Sequence, residues 1–342
     1  MDHEIAEDAL LLAPVDTAEL LRGEWTAVPA ADPVTGYLET HHWTHSTLPV
    51  QWEVARLSQA AYAYRETATQ WAAVGKFYTA KTGAEAADHA ARELDHIREA
   101  QTANFEEGGD RAIHALSLWR GVLFLEYVDG LTLEDLIAVR RSRPGVLTEA
   151  LERAAGFLAR LHAQTVQPHI QPDAASQMAY THKIVDNLVK HGVLAKDPVT
   201  SEGLHRLIDR WADDPLMGDY QPVLKHGDAT TTNFVFPWDG KMVVIDWERM
   251  YPGDPAADLG RLMAEVGHSI TQHGGTIAEA MPALERLTEA YERSLTGDGD
   301  VGKVIERARF YQASSTLRIA RNGWVSRLDR TRMVARAMAL LS

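Results

Sequence analysis

From residue 50 the chain falls into runs of apolar and aromatic residues of strand length. Residues 50–57, 60–67 and 71–78 predict three strands with short breaks between them. A helix follows, with Thr82 and Glu85 as a capping box and Ala86, Ala90, Leu94, Ile97 and Gln101 tracing one stripe at helical spacing. Residues 112–119 and 122–126, parted by Arg120-Gly121, predict two more strands. Tyr127-Val128-Asp129-Gly130 then reads as a connector, and Thr132 with Asp135 opens another helix. Residues 148–165 form an amphipathic helix with Leu151, Ala155, Leu158, Leu161 and His162 on one side. Helix-like stretches lie at 174–191 and 201–212. Asp254-Pro255 reads as an N-cap and first-turn pair, and the remainder to Ser342 is mostly helical by pattern. The first 49 residues carry the weakest pattern, with one short helix at 16–22 capped by Asp16. The expectation is a two-lobed α+β fold: an N-terminal extension (1–49), a small β-rich N-lobe (50–125), a hinge (126–130), and a larger, mostly helical C-lobe (131–342) with a helical insertion at 164–221.

Length agrees with that division, because 342 residues exceed one typical core. The formal charge of −14 argues against a nucleic-acid partner, which would call for a basic patch. It is compatible with a cationic substrate and equally with solubility alone. The last 40 residues run the other way, with nine Lys/Arg, and read as a basic face paired with the acidic body. There is no cysteine, which removes disulfides, thiolate catalysis and Cys-ligated zinc and suits a cytoplasmic enzyme. Met1-Asp2-His3-Glu4 lacks the basic start of a signal peptide, and no apolar run approaches the roughly 20 residues of a membrane span, so no membrane partner is expected. His41, His42 and His45 surround Trp43 but have no acidic or fourth ligand at close spacing, and read as a solvated loop rather than a zinc site. Oligomeric state is left open.

The chemistry concentrates in residues 226–246. They read His226-Gly227-Asp228-Ala229-Thr230-Thr231-Thr232-Asn233, then the apolar Phe234-Val235-Phe236, a turn at Asp239-Gly240, and Met242-Val243-Val244-Ile245-Asp246. Asp228 can accept a proton from an attacking hydroxyl. Asn233 places an amide oxygen five residues on, and Asp246 ends an apolar strand, so both can ligate Mg²⁺. Phosphoryl transfer asks mainly for positioning and charge neutralisation, and Mg²⁺ takes only one or two protein oxygens beside the substrate phosphates.

These residues, with Ile245-Asp246-Trp247-Glu248 and Asp254-Pro255-Ala256-Ala257-Asp258-Leu259, resemble the aminoglycoside phosphotransferase and choline kinase group, which shares the protein-kinase-like fold. Three strands, a helix and two strands are the small-lobe order of that fold. The resemblance implies that Asp228 is the base, that Asn233 and Asp246 hold Mg²⁺, that His226 is structural, and that Asp258 is the buried aspartate bracing the catalytic loop. It implies ATP or GTP as donor and a small-molecule hydroxyl as acceptor. Aminoglycosides, sugars and amino alcohols all remain open.

Lys76 stands in the apolar run Ala72–Tyr78, where a lysine must find a partner or lose its hydration unpaid. In kinases such a lysine holds nucleotide phosphates and pairs with a helix glutamate. Glu93 is the best partner, because it points inward with the stripe of Ala90 and Ile97. The phosphate-covering turn departs from the kinase pattern: Leu57-Ser58-Gln59-Ala60-Ala61 has no glycine, which leaves Ser58 and nearby amides as candidate contacts. Glu126 and Val128 would meet the nucleobase through their backbones. Glu248 is a weaker candidate for ordering metal water or substrate. Gly297-Asp298-Gly299-Asp300-Val301-Gly302 matches G-x-G-x-x-G literally, yet it follows a helical segment and carries carboxylates where phosphate would sit, so it reads as an exposed loop. The insertion enters directly before Asp228 and is expected to line the acceptor. Its Asp213, Asp214 and Asp219 would favour a cationic or polyhydroxyl compound, or form a solvated acidic loop. Two rivals stand beside this reading. A non-catalytic nucleotide binder is favoured by the missing glycines and opposed by the intact polar set. A kinase for protein acceptors is opposed by the long insertion.

Overall fold

The computed structural model describes residues 23–29, 32–41, 50–78, 82–103, 109–238, 240–295 and 300–342. The expected helix at 16–22, the residues His42, Trp43 and His45, the turn residue Asp239, and residues 297–299 of the glycine-containing stretch lie outside the described residues. The chain divides into two compact units, Met1–Thr102 with Ala112–Asp129, and Ala103–Arg111 with Gly130–Ser342.

The first unit opens with β1 (Thr26–Ala27) and α1 (Pro33–Thr40), then β2 (Trp52–Arg56), β3 (Ala61–Glu66), β4 (Ala72–Phe77) and α2 (Gly83–Thr102). β6 (Ala115–Trp119) and β7 (Val122–Glu126) complete it; they follow β5 (Arg111–Ala112), whose Arg111 belongs to the second unit and donates its N–H to the Met242 carbonyl there. The strands form one antiparallel sheet in the order β1-β2-β3-β4-β7-β6. The sheet therefore starts before residue 50. Asp32 caps α1 by accepting the Val34 N–H at 2.7 Å, Pro33 sits in its first turn, and α1 buries Val34, Tyr37 and Leu38. Those side chains join Trp52, Val54, Tyr64 and Phe124 in one core, and Tyr37 stacks on Trp119 with ring centres 4.5 Å apart. Full burial of Val34 and Leu38 stabilises the unit by about 1.5–3 kcal/mol each.

The run expected as one strand at 112–119 is broken. Gln101 Nε2 donates to the Ile113 carbonyl, the His114 N–H donates to the Glu126 carboxylate, and the ladder slips between Ala115 and Ser117. Side chains from both neighbours thus draw residues 113–114 out of the strand.

In the second unit β8 (Gly130–Thr132) leads into α3 (Leu133–Ala138), where Thr132 and Asp135 make the expected reciprocal capping box. Then follow α4 (Pro144–Gln164), α5 (Ala174–Lys190), α6 (Pro198–Ala212), β9 (Val223–Lys225), β10 (Phe234–Pro237), β11 (Val243–Val244), β12 (Tyr251–Gly253), α7 (Ala256–Gln272), α8 (Ile277–Ser294), α9 (Val301–Ala320) and α10 (Arg327–Leu341). Helix α4 starts ahead of the expected residue 148 because Pro144 supplies a preset first turn. Asp254 accepts the Ala256 N–H, but the cap position itself falls to Pro255. The Asp254 carboxylate instead forks onto Arg307 of α9 at 2.8 and 3.2 Å, with both side chains 1% exposed. Helices α7 and α9 approach so closely at Gly260 that a Cβ there would stand 2.5 Å from the Ala308 carbonyl oxygen.

The insertion packs on the C-terminal helices. Thr181 of α5 shares a hydrogen bond with Ser314 of α9, and Trp211 of α6 donates to the Leu341 carbonyl of α10. Its acidic end has structural work. Asp213 occupies the C-cap of α6, Asp214 caps a short 3₁₀ turn through the Leu216 N–H, and Asp219 pairs with Lys303 at 2.7 Å. The Asp214 and Asp219 carboxylates thus have protein partners, while Asp213 caps through its backbone N–H.

Candidate active site

The loop after β9 is held from below by a buried polar chain. Asp258, on the first turn of α7, is 1% exposed and accepts the backbone N–H groups of His226 at 2.6 Å and Gly227 at 2.9 Å. His162 of α4 bonds Asp258 at 3.1 Å through Nε2, and its Nδ1 meets the Tyr291 hydroxyl of α8 at 2.8 Å. Burial alone would raise the Asp258 carboxyl; the hydrogen bond and charge of His162, with His226 and Lys225 nearby, hold it well below the usual carboxylate range. Gly227 is obligatory. Its φ is +78°, and a Cβ would fall 1.9 Å from the Arg249 carbonyl oxygen.

His226 is fully buried and uses both ring nitrogens. Nδ1 accepts the Asp228 N–H at 3.2 Å, and Nε2 bonds the Ile245 carbonyl at 3.0 Å. That fixes the Nε2–H tautomer and leaves no lone pair for a substrate proton. The Ile245 N–H in turn donates to the Asn233 carbonyl, and Asn233 Nδ2 donates to the Asp228 carbonyl at 2.8 Å. One hydrogen-bonded network thus joins Asp228, Asn233 and the residue before Asp246.

The Asp228 side chain is 15% exposed. Arg261 of α7 donates one short bond to its Oδ1 and a second, at 2.7 Å, to the Gly227 carbonyl; Arg249 stands 3.8 Å from Oδ2. The first bond fixes the carboxylate plane and turns Oδ2 toward Arg249. Asn233, its amide nitrogen committed to Asp228, turns its oxygen away from that bond. Asp246 has φ +66°, a left-handed backbone that costs a non-glycine residue about 1–3 kcal/mol and that persists where the surrounding fold enforces it. An amide oxygen and a carboxylate, without sulfur or imidazole, form a donor set that fits Mg²⁺. Glu248 is exposed and stands 3.7 Å from Arg249.

In the first unit Lys76 Nζ donates to Glu93 Oε2 at 2.7 Å, and the Tyr78 hydroxyl donates to the same oxygen at 2.5 Å. Glu93 is fully buried, so its charge is kept by these donors rather than by water. Ser58 has a turn role: its Oγ accepts the Ala60 and Ala61 N–H groups, while the Leu57 and Ser58 N–H groups both go to the Ala61 carbonyl. A turn closed this way spends the amides a glycine-rich loop would offer to phosphate. Glu126 is tied to His114 by backbone and side chain, whereas the Val128 N–H and C=O take no partner among the described residues.

Sequence reasoning missed Arg261, Arg249 and Tyr291, and took His162 only as part of a helix stripe. Arg261 had a signal: it follows Asp258 by three residues, one turn along the same helix face. The His162–Tyr291 bond spans 129 residues and had none.

Residues 54–301 match the model of the phosphotransferase enzyme family. No curated protein matches the chain. Among solved structures, the ADP-bound aminoglycoside phosphotransferase APH(2'')-Ib superposes with a TM-score of 0.57 at 12% identity, covering 90% of this chain and 98% of that one. The choline kinase LicA from Streptococcus pneumoniae gives 0.53 at 16% identity, covering 90% and 98%. The macrolide 2'-phosphotransferase MphH from Brachybacterium faecium gives 0.51 at 14% identity, covering 89% and 97%. At such identities the likeness is one of fold, and that fold is the α+β, protein-kinase-like one.

Proposed function

The chain belongs to the phosphotransferase enzyme family, and from that premise we propose that it transfers the γ-phosphate of ATP or GTP to a hydroxyl group of a small molecule. The observation that carries this reading is the network joining Asp228, Asn233 and Ile245, which holds Asp246 next to it; the strand expected to end at Asp246 stops at Val244, so Asp246 lies two residues beyond β11. In the reaction the acceptor oxygen bonds to the γ-phosphorus, the bond to the β–γ bridging oxygen breaks, and the nucleoside diphosphate leaves. The acceptor proton passes to Asp228, whose carboxylate is oriented by Arg261. Asn233 and Asp246 would hold Mg²⁺, which neutralises charge on the phosphate oxygens when bound. Lys76, fixed by Glu93, would hold the donor phosphates, and the Val128 backbone would meet the base. Fold relatives carry ADP, GDP and, in a ternary complex with streptomycin, ATP, which supports a purine nucleotide donor and leaves the base open. Among the described residues no helix is long and apolar enough to cross a membrane.

The test is Asp228→Asn. It keeps the shape and the Arg261 contact but removes the proton acceptor, and should slow transfer by ~10²–10⁴-fold with Mg-nucleotide binding retained. Near-normal turnover would remove Asp228 from the chemistry. A non-catalytic rival draws on the closed turn at Ser58; it requires nucleotide binding with no turnover on any alcohol.

A further inference from the structure

The second unit holds a cavity of about 390 Å³ walled by α7, the start of α8, α9 and α10. Ile277, Ile319 and Met333 form an apolar wall. His268 and Arg336 face it from opposite helices, and their polar atoms are unsatisfied. Both ring nitrogens of His268 and Nη1 of Arg336 are buried with no hydrogen-bond partner among the described residues. The Arg336 guanidinium lies against Gly267, 3.4–3.6 Å from where a Cβ would stand, so this glycine lets it reach the helix. In a chain with 48 carboxylates, none pairs with it among the described residues. Asp329 also lines the cavity, but it is shared between Arg332 at 3.4 Å and Ser326 at 2.6 Å. Buried donors left unpaired by the protein cost folding free energy, which argues that something other than the protein completes them.

The cavity is separate from the proposed base, although both lie along α7. Arg261, Glu265 and His268 follow at i, i+4 and i+7 on α7, so a single face runs about 10 Å from the arginine on Asp228 to the cavity. Between them Glu265 is paired with Arg318 of α9 at 2.5 Å and is spoken for.

We propose that this cavity binds a small organic anion, held by Arg336 and His268 with its carbon skeleton on the apolar wall. The proposal does not rest on the phosphotransfer reading, because the cavity shares no lining residue with the site at Asp228. A guanidinium and an imidazole N–H offer a fork and a single donor, which suits a carboxylate or a phosphate oxygen. A cationic amino sugar would meet Arg336 with like charge.

Two matched ligand sets test this: glycerol, glycerate and glycerol 3-phosphate, and 1,4-butanediol with 4-hydroxybutyrate. Choline is the cationic comparison. Binding is read without nucleotide, by thermal midpoint and titration calorimetry, on the full chain and on Arg336→Met. Charged members should raise the midpoint and bind at least tenfold tighter than their neutral mates, and Arg336→Met should lose that preference. The glycerate and glycerol 3-phosphate arms tell a carboxylate from a phosphate ligand. Without ligand, Arg336→Met should melt no lower than the wild type, since among the described residues it breaks no hydrogen bond or ion pair and the methionine stem can still pack on Gly267; a drop of several degrees would mark Arg336 as structural and overturn the proposal. So would equal or tighter binding of the neutral alcohols or choline, or no response to any charged member.

Discussion

The loop at 226–228 and the cavity along α7 are built from the same kinds of residue and treat them oppositely. In the loop each buried polar group has a protein partner: Asp258 takes two backbone N–H groups and His162, and His226 spends both nitrogens. In the cavity a half-buried histidine and a half-buried arginine keep both ring nitrogens and one guanidinium nitrogen buried and unmet among the described residues. The first arrangement fixes geometry before any ligand arrives, which is what phosphoryl transfer asks of its base and metal ligands. The second costs stability in return for affinity, as binding surfaces do. In these two regions satisfied polar groups accompany fixed geometry, and unsatisfied ones line an open cavity.

That contrast breaks most visibly at Asp258. Asp258→Ala leaves the His226 and Gly227 N–H groups and His162 without their acceptor in a buried site. It should cost about 3–5 kcal/mol in urea unfolding and abolish transfer. A loss below 1 kcal/mol would mean the chain of bonds is ornamental. His268 should behave oppositely. His268→Phe replaces an unpaired imidazole by an apolar ring and should stay within about 1 kcal/mol of wild type near pH 8.

Acid sharpens the same contrast. Burial holds the His268 imidazole below its ordinary value of 6.5, so the unfolded chain binds that proton first. Stability from this group is complete above about pH 6.5 and falls as pH drops below it. Asp258 is also depressed, so its contribution is complete above the ordinary carboxylate value of 3.8 and is lost only in stronger acid. Unfolding curves between pH 8 and 5 should show a decline in the wild type that is smaller in His268→Phe. An unchanged decline in the variant would place the titration elsewhere.

Much of this was readable from the chain. Strands β2 to β4 and helix α2 follow from apolar period alone, and Glu93 points inward because it rides the stripe of Ala90 and Ile97. Spacing put Asp228, Asn233 and Asp246 in one loop and hairpin because all three lie within 19 residues. Helix α1 escaped notice although Asp32-Pro33 is a cap and first-turn pair, because only Val34, Tyr37 and Leu38 mark its buried face. Asp254 was read from its local neighbours as a cap, while its main partner, Arg307, lies 53 residues on. The cavity was invisible for the same reason: its walls come from four helices, and Arg336 looks like any surface arginine on α10 until Gly267 is found beneath it. Local pattern reports period and caps; it does not report which distant side chains meet.

The central claim is that Asp246, two residues beyond the end of β11, serves metal-bound nucleotide. Asp246→Gly tests it directly, because glycine accepts the left-handed backbone without penalty and removes the carboxylate. Titration calorimetry with Mg-ATP, run beside a thermal melt of the same variant, should give an affinity at least tenfold weaker and a midpoint equal to or above the wild type. Unchanged Mg-ATP affinity with a lowered midpoint would make Asp246 a structural residue and contradict the account.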